Sequence, residues 1–450
     1  MRDLKLTGGC NQVDQGGAVR VQGAALRVER CKISGNQTVV ENPNPAYGQG
    51  GIGGGIAVLS GSATLVDSIV SGNSTHGPVS SGGGVAVYNS DLELRRSTIS
   101  GNLAGSSDGS AGGGVYAVGD YANAVPRTVT IRNSSVSGNS SEGDTARGGG
   151  LSIYAETTTI TDSLIDGNHV IGGYDGRSGG LSILNGVAPF ADVTIDRTTV
   201  SANTVVSDGE GGAGLFISGV DHFTLNASSV IGNASTNTVF CRGGGIDLAN
   251  VGAVVTDSTI SGNTIDSPFG RGGGIFIYND SNTFTASLSV YNSTIADNLV
   301  TGYYNRGGGV RFQSHGNYDG AHDSIPPTGF FESTIISGNV AETGSAIQIK
   351  DSPAVANNSL IEGAVEINPT QGGTFTPDAI TIALFGQDPL LRPLADNGGP
   401  TLTHALPCGS PAINLGTNVT GLQFDQRDRG FPRKRGHRVD IGAVETDCPH

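Results

Sequence analysis

Tryptophan is missing from this sequence, methionine occurs only at position 1, and Lys5, Lys32, Lys350 and Lys434 are its four lysines. A core without Trp or Met must be built from Val, Ile, Leu and Ala. Charged residues reach only 14%, and acids exceed bases to give a formal net charge of −15. A general nucleic-acid binder needs a basic face to neutralise phosphates, so that class is excluded. No apolar run approaches the roughly 18 residues that span a bilayer, and no membrane-spanning segment is expected. The opening residues, Met1 to Cys10, lack the basic-then-apolar layout of a signal peptide. Leu4 and Leu6 already alternate there, so the expectation is a fragment whose leader, and any earlier repeats, lie upstream. No CxxC or Cys/His spacing suggests zinc, and no cofactor is predicted; a structural calcium ion is left open.

What the sequence has in excess is glycine, 73 of 450 residues, and it has it at fixed places. Ten asparagines share one register: Asn36, Asn73, Asn102, Asn139, Asn168, Asn203, Asn233, Asn263, Asn298 and Asn339. Three positions before each stands Ile or Val, as in Ile99 and Val136, and five before stands Ser or Thr, with Cys31 as the one exception. Spacings of 29 to 41 residues over ten copies mean one structural unit stacked on itself. A solenoid of this kind escapes the size limit of a single core, because each repeat packs only on its neighbours.

A second register interleaves with the first. Short Gly/Ala runs end at eleven anchors, from Ala18 through Gly114, Gly150, Gly245 and Gly309 to Ala346. The next and third residues after an anchor are apolar with a free position between, as in Val85 and Val87 or Leu151 and Ile153. Period-two alternation predicts a strand with one buried face. Each repeat is therefore expected to carry one strand after the glycines, a second leading into the Gly-Asn, and a tight turn there. Equivalent strands stacked about 4.8 Å apart build parallel sheets, and eleven coils make a rod of roughly 50 Å. The fold expected is all-β: a right-handed parallel β-helix of about eleven coils over residues 1–365, with a C-terminal cap module over 366–450. The asparagines read as a turn ladder and the Ser/Thr column as a second inward stack.

The five cysteines make an odd count. In an exported protein Cys408 can pair with Cys448, and Cys10 with Cys31 across adjacent coils. Alternatively Cys31 fills the serine column as a small buried side chain; Cys241 is left over.

With its GGGI and STISGN blocks, the repeat region resembles the right-handed parallel β-helix repeats of bacterial surface and secreted proteins. It is similar to polymorphic outer-membrane protein repeats. After Ile361 the register decays and proline thickens. There Asp396–Thr401, Thr403–Leu406, Ser410–Ile413, Asp425–Arg427 and Asp440–Glu445 resemble, in order, the choice-of-anchor Q module. That resemblance implies a bacterial protein that is secreted or held at the cell surface. The chain stops five residues past Glu445 with no anchor behind it, so release into the medium is as well supported as attachment.

Chemistry is expected away from the scaffold columns. In the cap, His404, Asp425, Arg427, Asp440 and Glu445 read as buried charge pairs that close the open end of the solenoid. On the repeats, Arg147, Arg177, Arg242, Arg271 and Arg306 stand three positions before their anchors. Tyr174, Phe240, Phe269 and Tyr304 recur two or three residues earlier. Stacked guanidiniums need anions: the nearby Asp144, Asp175, Glu210 and Asp266, or carboxylates or sulfates of a bound polysaccharide. The free strand positions, among them Phe216, Asp247, Phe276, Arg311, Tyr88, Tyr154, Tyr278 and Lys350, are expected to face outward, where aromatic rings suit sugar rings. The function expected is a non-enzymatic stalk or adhesin that contacts a polysaccharide or a host or cell-surface glycan. Its alternative, raised by analogy with the pectin lyase-like fold, is a polysaccharide lyase or hydrolase. Its catalytic candidates are Asp247, Arg311 and the inserted His315, Asp319, His322 and Asp323.

Overall fold

The computed structural model describes residues 1–12, 15–40, 50–119, 127–184, 191–209, 211–314, 324–368 and 372–448. They fall into two compact units. The first is Met1–Val193 with Val200–Phe216 and Ser235–Phe240; the second is Thr194–Thr199 with Ile217–Ala234 and Cys241–His450. Each winds as a right-handed parallel β-helix.

One coil of the first unit comprises the strands Asp91–Arg95, Thr98–Ser100, Leu103–Ala111 and Val115–Val118. In the second unit Gly252–Thr256, Thr259–Ser261, Thr264–Asp266 and Ile275–Asn279 follow the same plan. Coils pair in strict parallel register, Ile99 on Val136 and Val115 on Leu151. Each coil thus has twice the expected two strands. The expected second strand is broken by a corner at the residue before the serine, and a further strand follows the asparagine. Arg96, Asn133, Asp162 and Asp257 all take a left-handed φ at that corner, near +48°. No glycine marks the place, so alternation alone does not reveal it.

The serine column is what closes the corner. Ser97 donates its hydroxyl to the carbonyl of Arg95 (3.0 Å) and accepts the backbone N–H of Ser68, one coil away (3.2 Å). The same two bonds recur at Ser68, Ser134 and Ser163, and in the second unit at Ser228 and Ser258. Cys31 serves in this column, its thiol against the carbonyl of Glu29 (3.3 Å). Cys31 and Cys241 are buried and Cys10 is exposed, and none of the three is in a disulfide; the Cys10–Cys31 pairing is therefore not made. The reason is local: the Cys31 thiol is committed to its own turn.

The asparagine column forms the second ladder. Asn139 donates from Nδ2 to Asn168 Oδ1 (2.9 Å), and its own Oδ1 accepts both N–H donors of Asn102 (3.0 and 2.9 Å). In the second unit Asn233, Asn263, Asn298 and Asn339 repeat the pattern. Between the ladders the interior is filled by Ile99, Val136, Val85, Val87, Leu151 and Ile153, all buried.

Strand pairing continues through Thr374–Pro377, and the short helix Ala379–Leu384 then closes the stack. Its Thr381 takes the next place in the serine column: Oγ1 accepts the N–H of Ser359 (3.1 Å) and donates to the carbonyl of Ala356 (3.2 Å). An exposed coil end is thereby satisfied by side chains. Leu384, Leu406, Ala412 and Ile441 pack with Ile335 and Leu360. Beyond the helix the chain does not stay at the end. It runs back along the flank: Thr401 donates to the carbonyl of Ala227 (3.2 Å), and Gln426 binds Thr259 (2.6 Å) and the carbonyl of Ser228 (3.1 Å). Gly442 N–H reaches the carbonyl of Ser333 (2.9 Å). The docking face is one of small hydroxyl residues, Ser229, Thr259 and Thr294, which a strand open to water would not need buried. Cys408 and Cys448 form a disulfide (Cα–Cα 5.4 Å) that ties the far end of this segment to itself.

Candidate functional site

The arginine column lies at the corner between the strand that ends before the glycine run and the strand that follows it. Gly148 (φ +58°) makes this bend so tight that a Cβ there would sit 2.1 Å from the carbonyl oxygen of Leu151. Gly307 (φ +69°) brings its backbone against the Cβ of Arg311, within 2.8 Å of where its own would be. The consequence overturns one expectation. Phe216, Asp247, Phe276 and Arg311, expected to face solvent, are buried in the concave angle beneath side chains of the preceding strand.

In the first unit the corner holds an aromatic run. Tyr88 and Tyr116 lie 5.3 Å apart and Tyr116 and Tyr154 5.9 Å apart, between ring centres, over Ile52, Ala57 and Ala86. Burial pushes the Tyr88 hydroxyl up to about 12, against a hydrogen bond with Ser81. Arg147 bonds the Tyr154 hydroxyl and pairs with Asp175 (3.0 Å). Arg177 pairs with the same carboxylate (2.8 Å) and lies 5.1 Å over the Phe216 ring. Burial works to raise the Asp175 carboxyl, but Arg177 and Arg147 outweigh it and hold it below the usual carboxylate range. Tyr174, beside them in sequence, is exposed.

In the second unit Arg242 is buried against Asp247 (2.9 Å) and covers Tyr278 (4.7 Å) and Phe276 (5.7 Å). Asp247 is thus a structural counter-ion, which removes it from the role of catalytic base or acid. Phe240 is half-buried. One coil on, the balance changes. Arg271 Nη1 donates to Gln313 Oε1 (3.1 Å), and Arg311 donates to the same oxygen from Nε (3.3 Å) and Nη2 (2.8 Å). Arg306 is bridged directly to Arg271 across the strands and is exposed. Unit charges about 5 Å apart repel by roughly 3 kcal/mol at an effective dielectric of 20. Burial pushes the Arg311 guanidinium well down, and Arg271 and Arg306 add to it. Lys350 is pushed down by burial; Asp351 opposes this, and the same three arginines reinforce it. Beside these cations Phe269 and Tyr304 stack with centres 5.6 Å apart and planes 6° from parallel. They are 41% and 64% exposed, and Tyr304 holds a left-handed φ of +58°. A bulky residue rarely adopts that conformation.

The other expected residues divide clearly. Asp266 accepts a hydrogen bond from Thr301 (2.9 Å). Glu210, His315, Asp319, His322 and Asp323 lie outside the described residues. His404 bonds Ser261 (2.8 Å) and the Arg392 carbonyl (2.8 Å), a docking role. Asp425 takes Arg427 in a forked pair, and Arg427 lies 4.1 Å over the Phe431 ring. Sequence reasoning passed over Gln313, which alternation placed two residues from Arg311, and the buried Arg433, which no pattern marked. Among the described residues no group of His, Cys, Asp and Glu is arranged to hold a metal ion, and no helix is long and apolar enough to cross a membrane.

Arg433 is shared by Asp257 (3.4 Å) and Glu445 (3.6 Å) in a pocket that Asp425 and Asp440 also crowd. Burial raises Asp257 to about 7 and Glu445 to about 8, with Arg433 opposing both. Unfolded carboxyls titrate near 4. The folded chain therefore keeps protons that the unfolded chain has lost, and this stabilisation fades as pH rises through about 7 to 8. Thermal unfolding should show a midpoint that falls from pH 5 to pH 8, with a shallower fall in Asp257→Asn. A flat wild-type profile would contradict the protonated state of these groups.

Comparison with protein-family models, with curated proteins and with solved structures finds no match to this chain.

Proposed function

We propose that this is a bacterial secreted or cell-surface protein that works as a rigid, non-enzymatic adhesin, holding an acidic polysaccharide in the groove at its glycine corners. The observation that carries the reading is the composition of that groove. Each unit, taken by itself, sets aromatic rings and arginines at its glycine corner, in a chain whose net charge is −15. In a strongly acidic protein, guanidiniums that outnumber their carboxylates at a glycine corner, as Arg271, Arg306 and Arg311 do in the second unit, attract anions there. Rings beside the guanidiniums suit the apolar face of a sugar. The β-helix supports the stalk reading, since a coil stacked in strict register is stiff along its length. The five cap blocks that resemble the choice-of-anchor Q module support export. Against catalysis stands Asp247, whose carboxylate is buried under Arg242.

Affinity electrophoresis through polygalacturonate, alginate, hyaluronan and dextran tests the proposal. Retardation is expected in the acidic gels alone, and should vanish at high salt because the attraction is screened. Tyr154→Ala should weaken binding about tenfold, the scale of one lost stacking contact, while far-ultraviolet circular dichroism stays unchanged. No retardation in any acidic gel would refute the adhesin reading, and unsaturated or reducing ends released from any polymer would replace it with a lyase or hydrolase.

A further inference from the structure

We infer that Arg271, Arg306, Arg311 and Lys350 form an anion subsite, built to take one carboxylate or sulfate group of an acidic sugar. The inference rests on the groove reading for its ligand class but on separate observations for its place.

Arg311 is the first. Its side chain is 1% exposed, yet among the described residues it makes no ion pair and its Nη1 has no hydrogen-bond partner. A buried guanidinium normally meets a carboxylate or a set of carbonyls. Here it meets a single neutral oxygen, Gln313 Oε1, already used by Arg271. The two described carboxylates that act on it, Asp351 and Glu366, are otherwise placed. Asp351 accepts the backbone N–H (2.8 Å) and the hydroxyl of Ser314. Glu366 is exposed, and pairs in register with Gln348 rather than with Arg311. In register above Arg311 lies Gln348, whose buried Oε1 also lacks a partner.

The second observation is contrast within one unit. Arg242, one coil from Arg271, has Asp247 at the strand position where Arg311 stands two coils later. Internal neutralisation is thus available to this architecture and is used at Arg242. At Arg311 the sequence places a fourth cation where an acid would serve. The third is the rim: Arg306 is exposed, and Phe269 and Tyr304, two residues before Arg271 and Arg306, offer exposed stacked rings. A sugar ring resting on Tyr304 would bring its acidic substituent to the guanidiniums, whose paired N–H groups fit a planar carboxylate or a sulfate face.

The test uses the full chain and three trisaccharides of one linkage, neutral, uronate and sulfated, with calorimetry and thermal melting. Arg306→Ala removes an exposed side chain, so folding is not at issue; it should weaken the charged ligands at least tenfold and leave the neutral one unaffected. Arg311→Met should melt higher than wild type without ligand, because an uncompensated cation is gone, and should gain nothing when either charged ligand is added. Binding of the uronate alone would assign a carboxylate site, and binding of both a general oxyanion site. Unchanged affinity of Arg306→Ala for both charged ligands would overturn the subsite. If polysaccharide retardation persists in that variant, the groove reading survives without it. If the charged trisaccharides bind but no polymer is retarded, the subsite stands and the adhesin reading falls.

Discussion

Replacing Arg433 with methionine should destabilise the docked C-terminal segment by about 4 kcal/mol at pH 8, within the 3–5 kcal/mol typical of breaking a buried ion pair from one side. The guanidinium is 1% exposed and donates Nη2 to the carbonyls of Asp440 (3.2 Å) and Gly442 (2.6 Å). It is also the only cation that Asp257 and Glu445 face within 4 Å among the described residues. Methionine keeps the stem and volume, so the change isolates charge from packing. What is lost is the link between Asp257, on the flank of the β-helix, and the Asp440–Glu445 turn that lies on it.

The cost should shrink at pH 5. There Asp257 and Glu445 hold their protons in the folded state, so the variant buries neutral acids rather than unpaired charges. Adding Asp257→Asn and Glu445→Gln to Arg433→Met should recover more than half of the loss at pH 8, since the two carboxylates within 4 Å of the guanidinium are then neutral. Limited proteolysis gives an independent reading: cleavage after Gly386 should quicken in the single variant and return toward wild type in the triple one. A single variant within about 1 kcal/mol of wild type at pH 8, below the usual cost of a broken buried pair, would remove Arg433 from this role.

The two ladders were legible because they are periodic and carry their own chemistry. Ser or Thr five places before Asn, with Ile or Val between, admits few structures other than a stacked turn. The corner before each serine was not legible, because Arg96, Asp162, Ala227 and Asp257 share only a left-handed φ and no side-chain type. The arginine column was visible in the spacing of Arg147, Arg177, Arg242, Arg271 and Arg306. Of its partners Asp175 was among the acids the sequence offered, but Asp247 was not, since the angle at the glycine corner selects it. Asp175 serves two arginines, and Asp247 comes from the next strand rather than from a sequence neighbour such as Asp266. That same angle buried Arg311, which alternation alone had placed in solvent. In the cap, the composition change was plain, but docking joins Gln426 to Ser228 across 198 residues, and no local pattern encodes a contact of that range.

The asparagine ladder permits the second large prediction. Asn139 is fully buried. Its Oδ1 accepts Asn102 N–H and Nδ2, and its Nδ2 donates to Asn168 Oδ1 and to the Ile99 carbonyl (3.0 Å). Alanine would take one partner from each of four buried groups. Asn102 Nδ2 keeps the Val70 carbonyl (3.1 Å) and Asn168 Oδ1 keeps the Asn139 N–H (3.0 Å), while the Asn102 N–H and the Ile99 carbonyl lose the bond to this side chain. Each buried donor or acceptor left unsatisfied costs about 1–3 kcal/mol, and some relax toward neighbours, so a total near 4 kcal/mol is expected. Aspartate should be worse than alanine despite its matching shape. It keeps the acceptor for Asn102 but sets a carboxylate oxygen against Asn168 Oδ1, a clash of acceptors that grows as the acid ionises. Asn139→Asp should therefore approach Asn139→Ala at pH 4.5 and fall below it at pH 7. Because coils couple chiefly to their neighbours, the damage should be local first. Hydrogen exchange should quicken in Thr98–Ala111 and Ser135–Arg147 before it does in Ile56–Leu59. If alanine at position 139 left both the melting midpoint and these exchange rates unchanged, the ladder would be ornament on a coil held by its apolar interior. Its four bonds per asparagine argue that the coil corner depends on it.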